Sequence, residues 1–127
     1  MPRRIKELKI VIIEDDLAIN QALKDYFSEQ NSVQSFVSAE EALEAQGSFE
    51  NVDVFIIDYK LPGKNGVELF KYLQTEFTHA KYILITGEMN YDVAESTRKL
   101  GLDALILKPF DFMILEDNIS GLISAEA

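Results

Sequence analysis

The stretch Val54-Phe55-Ile56-Ile57-Asp58 decides the fold, because four apolar residues end in a carboxylate and lead into a turn at Leu61-Pro62-Gly63. A short, wholly apolar run indicates a strand that is buried on both faces, as in parallel sheets covered by helices. Open sheets of this kind bind ligands at the carboxyl ends of their strands. The sequence therefore predicts that Asp58 lies at a ligand-binding edge.

Three further apolar runs end in polar groups in the same way. Residues 10–13 lead into Glu14 and Asp15, residues 82–85 lead into Thr86, and residues 104–107 lead into Lys108. Because the carboxyl ends of parallel strands share one edge of a sheet, we expect carboxylate, hydroxyl and ammonium groups to meet there.

The apolar runs alternate with segments of helical period, which predicts parallel strands joined by crossover helices. The strands are predicted at residues 8–13, 33–37, 52–57, 82–85 and 104–107. The second is interrupted by polar residues and is expected near an edge, whereas the third is the most apolar and is expected at the centre. The first helix is predicted to bury a face formed by Ile19, Ala22, Leu23, Tyr26 and Phe27.

The remaining helices carry recognisable start and stop signals. Ser38 is predicted to cap a short second helix, Gly66 precedes the third, and Asp111 is placed to cap the fifth. The fourth helix, over residues 91–100, has a thin apolar face and is closed by Gly101.

Length and composition predict a single domain over residues 1–127, with 47% hydrophobic and 27% charged residues. The net charge of −10 argues against direct binding to nucleic acid or to anionic membranes. The chain has no cysteine, and neither a membrane-spanning stretch nor a signal peptide is recognisable, so we expect a cytoplasmic location.

The four strand ends together have the chemistry of phosphoryl transfer. Magnesium binds one or two carboxylates together with phosphate oxygens, and Asp15 and Asp58 supply such carboxylates. Lys108 and Thr86 are suited to stabilise a phosphoryl group that arrives at Asp58, where an aspartyl phosphate would form. Singly, each residue has an ordinary structural explanation as a cap, a turn residue or a solvated charge. Their joint occurrence at four strand ends is harder to explain that way.

Together these motifs resemble the receiver domain of two-component response regulators, of the chemotaxis-response-protein kind, over residues 8–122. The resemblance is carried by Glu14-Asp15, by Asp58 with Leu61-Pro62-Gly63 and Gly66, by Thr86-Gly87, and by Lys108-Pro109-Phe110. It implies a flavodoxin-like, doubly wound (βα)5 fold of the α/β class, with a parallel sheet of order 2-1-3-4-5 and helices on both faces.

The resemblance also implies the role of each residue. Asp58 would be the phosphoacceptor, and Thr86 and Lys108 would contact the phosphoryl oxygens. The Mg2+ ligands would be Glu14, Asp15, Asp58 and the backbone carbonyl of Lys60. Pro109 would be a candidate cis proline. The donor would be a histidine kinase or a histidine phosphotransfer protein, and the target a downstream protein or a fused effector domain. The domain would catalyse its own phosphorylation and slow dephosphorylation without being an enzyme in the ordinary sense.

Two positions depart from the pattern of the family. Glu14 stands where many relatives carry Asp, so its longer side chain favours a metal contact through water. Leu105 stands where receivers commonly carry a Tyr or Phe that turns inward on phosphorylation, so the usual output mechanism is in doubt.

Lys60 and Glu88 each lie two residues beyond a site residue. They are expected to form an exposed ion pair over the pocket, or else to be unrelated surface charges.

Two other functions are compatible with parts of the pattern. A magnesium-dependent phosphatase with an aspartyl nucleophile usually has a second acid two residues after the nucleophile, but Lys60 occupies that position. A receiver-like binding module that is never phosphorylated would have no need of the complete set of acids, Thr86 and Lys108. The phosphoacceptor module is therefore the leading hypothesis.

Overall fold

The structure, a computed structural model, describes residues 5, 7–88 and 91–124. In these ranges, five strands alternate with five helices: β1 (Lys9–Ile13), α1 (Leu17–Ser28), β2 (Ser32–Phe36), α2 (Ala39–Glu44), β3 (Val54–Asp58), α3 (Gly66–Glu76), β4 (Lys81–Thr86), α4 (Tyr91–Arg98), β5 (Ala104–Leu107) and α5 (Phe112–Ser124). A short 3-10 turn, Gln46–Ser48, follows α2. Within this part of the chain, no helix combines the length and apolar character needed to cross a membrane.

The strands form one parallel sheet in the order β2-β1-β3-β4-β5, which confirms the predicted topology. The central strand is β3, all five residues of which are buried, and the polar β2 lies at an edge. In register, Ile13 pairs with Ile57 on β3, and Asp58 pairs with Ile85 on β4. The ends of β1, β3 and β4 are therefore level, which places the residues that follow them at one edge of the sheet.

Both faces of the sheet are buried, which is why its strands read as apolar runs instead of alternating patterns. Successive side chains point to opposite faces. In β3, Phe55 and Ile57 enter the core beneath α2 and α3, whereas Val54 and Ile56 enter the core beneath α1 and α5. Burying a large apolar side chain completely stabilises a fold by about 1.5–3 kcal/mol, so these two layers hold the polar edge in place.

Side-chain caps fix the points where several helices begin, since they satisfy backbone N–H groups that have no partner within the helix. Asp16 caps α1 by accepting from the backbone N–H groups of Ala18 and Ile19 at 3.0 and 3.1 Å. Ser38 caps α2 by accepting from the N–H of Glu41 at 3.1 Å, and Asn65 caps α3. At α5, Asp111 accepts from the N–H of Met113 at 2.7 Å. The caps predicted at Ser38 and Asp111 are thus present.

The buried face of α1 differs from the prediction at two positions. Ala22 is exposed, and Asn20 is buried together with Leu23 and Phe27. The apolar pattern did not indicate this, because it treated the polar Asn20 as a solvent-facing residue. The helix is turned so that Asn20 lies beneath the end of β1, where its amide finds backbone partners.

Gly66 allows α3 to start directly against the carboxyl end of β3. A Cβ atom placed on this residue would lie 2.1 Å from the backbone oxygen of Asp58, far inside van der Waals contact. The N–H of Gly66 donates to the carbonyl oxygen of Tyr59 at 2.9 Å. The turn after β3 is consequently compact, and it fixes the backbone that carries Asp58.

We predict that Gly66→Ala lowers the free energy of unfolding by about 2–3 kcal/mol, because either α3 or the end of β3 must move to accommodate the methyl group. Gly121→Ala is the matched control. A Cβ on Gly121, within α5, meets nothing within 4 Å, and alanine stabilises a helix interior by about 0.5–1 kcal/mol over glycine. Urea unfolding of both variants tests this, and a Gly66→Ala variant as stable as the wild-type protein would contradict it.

Candidate functional site

Three carboxylates meet at the carboxyl edge of the sheet. Glu14 and Asp15 follow β1, and Asp58 is the last residue of β3. One carboxylate oxygen from each lies within 4.8 Å of the others. Glu14 and Asp58 are buried, whereas Asp15 is exposed. Like charges at this distance repel one another, and the repulsion grows where water is excluded.

The ammonium of Lys108, after β5, faces two of these carboxylates. Its Nζ donates to Asp58 Oδ2 at 3.1 Å and lies 2.9 Å from Glu14 Oε1. The Glu14 contact has the distance of an ion pair but not the alignment of a hydrogen bond, so the buried Oε1 has no hydrogen-bond donor. The other oxygen, Glu14 Oε2, accepts from the backbone N–H of Asp16 at 3.0 Å. One ammonium therefore compensates only part of the negative charge.

The imbalance appears in the ionisation of the site. Burial, together with the hydrogen bonding and charge of Glu14, raises the pKa of Asp58 from 3.8 to about 7, against the lowering effect of Lys108. Burial alone would lower the pKa of Lys108, but the carboxylates of Glu14 and Asp58 raise it. The ammonium thus stays charged, whereas the site disfavours the ionised form of the Asp58 carboxyl.

The remaining predicted residues surround the cluster. Thr86, buried at the end of β4, donates through its hydroxyl to the backbone oxygen of Glu88 at 2.9 Å and accepts from the N–H of the same residue at 3.0 Å. The N–H of Lys60 lies 3.3 Å from Asp58 Oδ1. The side chains of Lys60 and Glu88 form an exposed ion pair between the loops after β3 and β4, which confirms the predicted pairing.

The structure thus brings Glu14, Asp15, Asp58 and Lys108 together, with Thr86 at the end of the neighbouring β4 and Lys60 in the loop that follows Asp58. The Lys108-Pro109 peptide bond is cis, as the sequence resemblance implied. The pairing of Glu14 with Lys108 was not predicted, since the positions of the strand ends alone do not show which carboxylates the ammonium reaches. Asn20, which bonds to the backbone of Glu14, was missed altogether.

The comparisons with known proteins agree with this geometry. The profile of the "Response regulator receiver domain" family matches residues 10–120. The chain belongs to the receiver domain family of two-component response regulators. The sheet order is the one that the resemblance implied, so the sequence motifs, the fold and the family profile agree.

Among its relatives, this receiver domain is 30% identical over 108 residues to the transcriptional regulatory protein MalR of Bacillus subtilis, covering 83% of this chain and 46% of MalR. It is 27% identical over 113 residues to sporulation initiation phosphotransferase F of the same organism, covering 87% and 90% of the two chains. A CheY-like receiver domain protein from Methanospirillum hungatei JF-1 is 27% identical, with a TM-score of 0.86 over 95% of this chain and 97% of that one. The domain spans about half the length of MalR and of several other regulators.

The raised pKa of Asp58 predicts how stability depends on pH when no metal is bound. In the folded state the group has a pKa of about 7, against 3.8 for the ordinary carboxyl. Between these values the folded protein holds a proton that the unfolded chain releases, so this contribution to stability is present at low pH and is lost as the pH rises through the window. Asp58→Asn should therefore melt at a higher temperature than wild type above the window, with the gain shrinking towards its lower end.

Asp117→Asn, which removes an exposed carboxylate on α5, is the control and should follow the wild-type curve. Thermal unfolding in chelator across the pH window measures all three proteins. Parallel curves for wild type and Asp58→Asn would show that Asp58 carries no penalty for ionisation.

Proposed function

We propose that this receiver domain, formed by residues 1–127, accepts a phosphoryl group on Asp58 from a phosphohistidine of a histidine kinase or of a histidine phosphotransfer protein. The observation that carries the proposal is the environment of Asp58. This buried carboxyl group, whose pKa is raised, lies beside the carboxylates of Glu14 and Asp15 and the ammonium of Lys108. A phosphoryl group attached to this carboxylate would be stabilised by the positive charge of the neighbouring ammonium and of a bound cation.

In the proposed step, an oxygen of Asp58 attacks phosphorus while the bond from phosphorus to the donor imidazole nitrogen breaks. The electron pair of that bond returns to the imidazole. The Lys108 ammonium already lies 3.1 Å from Asp58 Oδ2 and is suited to follow the incoming phosphoryl oxygens. The Thr86 hydroxyl would exchange its bond to the backbone of Glu88 for one to the phosphoryl group. Both residues stabilise charge as it is transferred.

The residues of the acidic cluster fit a magnesium ion. Its preferred ligands are oxygens, and the cluster offers three carboxylates, one of which has a buried oxygen with no hydrogen-bond donor. In the proposal Glu14, Asp15, Asp58 and the backbone carbonyl of Lys60 would hold the ion. When bound, it would supply positive charge close to the transferred phosphoryl group.

The ion pair of Lys60 and Glu88 would control the lifetime of the phosphorylated state. It spans the two loops that flank Asp58 and Thr86, and both side chains are largely exposed, at 69% and 49%. An exposed ion pair contributes little to stability. Its position over the pocket would instead hinder a water molecule that attacks the aspartyl phosphate, which would make dephosphorylation slow.

The signal would leave the domain through the surface between α4 and β5. Leu105 lies there beside an open groove of about 290 Å3, which is lined by Ala94, Thr97, Arg98, Leu102 and Ala104. A leucine presents neither a hydroxyl nor a flat ring to a partner, so inward movement of Thr86 would change this surface through the backbone after β4. The target would be a downstream protein or an effector domain on the same chain; the matched region covers about half the length of MalR and of PhoP of Pseudomonas aeruginosa.

The alternative of an aspartyl phosphatase gains no support from the site. Such an enzyme needs a general acid near the nucleophile, and the residue two positions after Asp58 is Lys60, whose side chain is paired with Glu88. The ammonium of Lys108 donates a hydrogen bond to Asp58, which suits it to stabilise an attached phosphoryl group. Acceptance and retention of a phosphoryl group fit this arrangement better than rapid turnover.

We predict that incubation with magnesium and a small phosphodonor adds one phosphoryl group to the wild-type protein, stable in acid and labile in base. Asp58→Asn should add none, because the amide is not a nucleophile. Intact mass spectrometry measures both. Equal labelling of the variant would show that the phosphoryl group resides elsewhere.

Asp53→Asn is a matched control. Asp53 directly precedes β3, at the strand end opposite Asp58, and accepts from the backbone N–H of Lys9 at 2.8 Å. Loss of this residue should leave the extent of labelling unchanged. Failure of both variants to be labelled would indicate general damage to the fold and not the removal of the acceptor.

A further inference from the structure

Asn20 is a buried polar residue to which the proposed chemistry gives no part. It lies in the second turn of α1 with only 7% of its surface exposed. Its Nδ2 donates to the backbone oxygens of Glu14 at 3.0 Å and Phe36 at 2.9 Å. Both partners are acceptors, so the amide nitrogen, which has two N–H groups, is the atom that must face them.

These two bonds join the ends of two strands at the acidic edge. Glu14 follows β1, and Phe36 is the last residue of β2. The oxygen of Phe36 also accepts from the N–H of Glu14 at 3.0 Å. Asn20 therefore completes a small backbone network that holds the peptide groups on both sides of Glu14, the second of which leads into Asp15.

Electrostatic repulsion acts on the loop after β1, which carries Glu14 and Asp15. The carboxylates of Glu14, Asp15 and Asp58 lie close together, and one ammonium compensates only part of their charge. Without a cation, repulsion favours any backbone shift that separates them. Asp16 resists such a shift by capping α1, and Asn20 resists it by fixing the carbonyl oxygen of Glu14. An arrangement held in advance binds a cation more tightly than one that must form on binding.

We infer that Asn20 is a positioning residue for the metal site: its side-chain amide holds the backbone of Glu14 and Asp15 in the geometry that binds magnesium. The inference rests on the proposed function, since it concerns the same site. It goes beyond that function because part of the affinity for the cation is assigned to Asn20, a residue on α1 that is not itself a ligand.

Asn31 provides a matched control within the same chain. It too is an asparagine whose amide bonds to the backbone: its Nδ2 donates to the oxygens of Ile5 and Phe27 at 3.2 and 3.0 Å, and its Oδ1 accepts from the N–H of Leu8 at 3.0 Å. It lies beyond the C-terminal end of α1, at the opposite edge of the sheet. Its loss removes comparable bonds without touching the acidic loop.

The experiment compares Asn20→Ala and Asn31→Ala with wild type, using magnesium titration by calorimetry and thermal unfolding in chelator. Both variants should melt a few degrees lower, since each removes side-chain hydrogen bonds to backbone groups. Asn20→Ala should also lose magnesium affinity by roughly tenfold, at the low end of the range for residues that orient metal ligands. Asn31→Ala should keep wild-type affinity.

Asn20→Leu is a second variant, because it preserves side-chain volume while removing both donors. It should show the same loss of affinity as Asn20→Ala if the hydrogen bonds are responsible. With a small phosphodonor, both Asn20 variants should need more magnesium for half-maximal phosphorylation but approach the wild-type rate at saturation.

Unchanged magnesium affinity in the Asn20 variants would overturn the inference, as would an equal loss in Asn31→Ala, which would reduce the effect to general destabilisation. Both of these outcomes require that the wild-type protein binds magnesium and would leave the proposed function intact. Absence of magnesium binding by wild type would instead overturn the proposed function, and with it this inference.

Discussion

The constraint on which the rest of the structure depends is an excess of negative charge, since three carboxylates lie close together beside one ammonium. Glu14, Asp15 and Asp58 are brought together by strand ends that lie level in the sheet, and Lys108 reaches two of them. Such a cluster destabilises a fold unless other interactions hold it together. The two apolar layers on either side of β3 supply that stabilisation. The compact turn at Gly66 packs directly against the backbone of Asp58 and so fixes its position.

The same imbalance links structure to function. An oxygen of Glu14 is buried without a hydrogen-bond donor, and the pKa of Asp58 is raised to about 7. Both observations describe a site that is incomplete without further positive charge. A divalent cation and a phosphoryl group, bound together, would satisfy it, because the cation neutralises the acids and the phosphoryl group gives Lys108 and Thr86 a shared partner. In the proposed signalling step, contacts of Lys108 with carboxylates and of Thr86 with the backbone of Glu88 would be replaced by contacts with the phosphoryl group.

Much of the fold could be predicted from the sequence, because apolar runs that end in polar residues report directly on a parallel sheet buried on both faces. The convergence of Asp15, Asp58, Thr86 and Lys108 followed from their places at the strand ends, whereas the strand order required the family resemblance. The rest depends on side-chain reach and helix rotation. Glu14 pairs with Lys108 at the acidic edge, and Asn20, unlike Ala22, is buried with its amide bonded to two backbone oxygens. Neither fact has a signature in hydrophobic period.

The most direct test of the central claim is the thermal stability of the wild-type protein at neutral pH in magnesium chloride, compared with sodium chloride of equal ionic strength. If the acidic cluster needs a cation, magnesium stabilises the folded state through binding, by about 2.7 kcal/mol at a concentration one hundred times the dissociation constant. The melting temperature should then rise with magnesium well beyond the effect of ionic strength. Superimposable curves in the two salts would contradict the account, because the carboxylates would then need no cation.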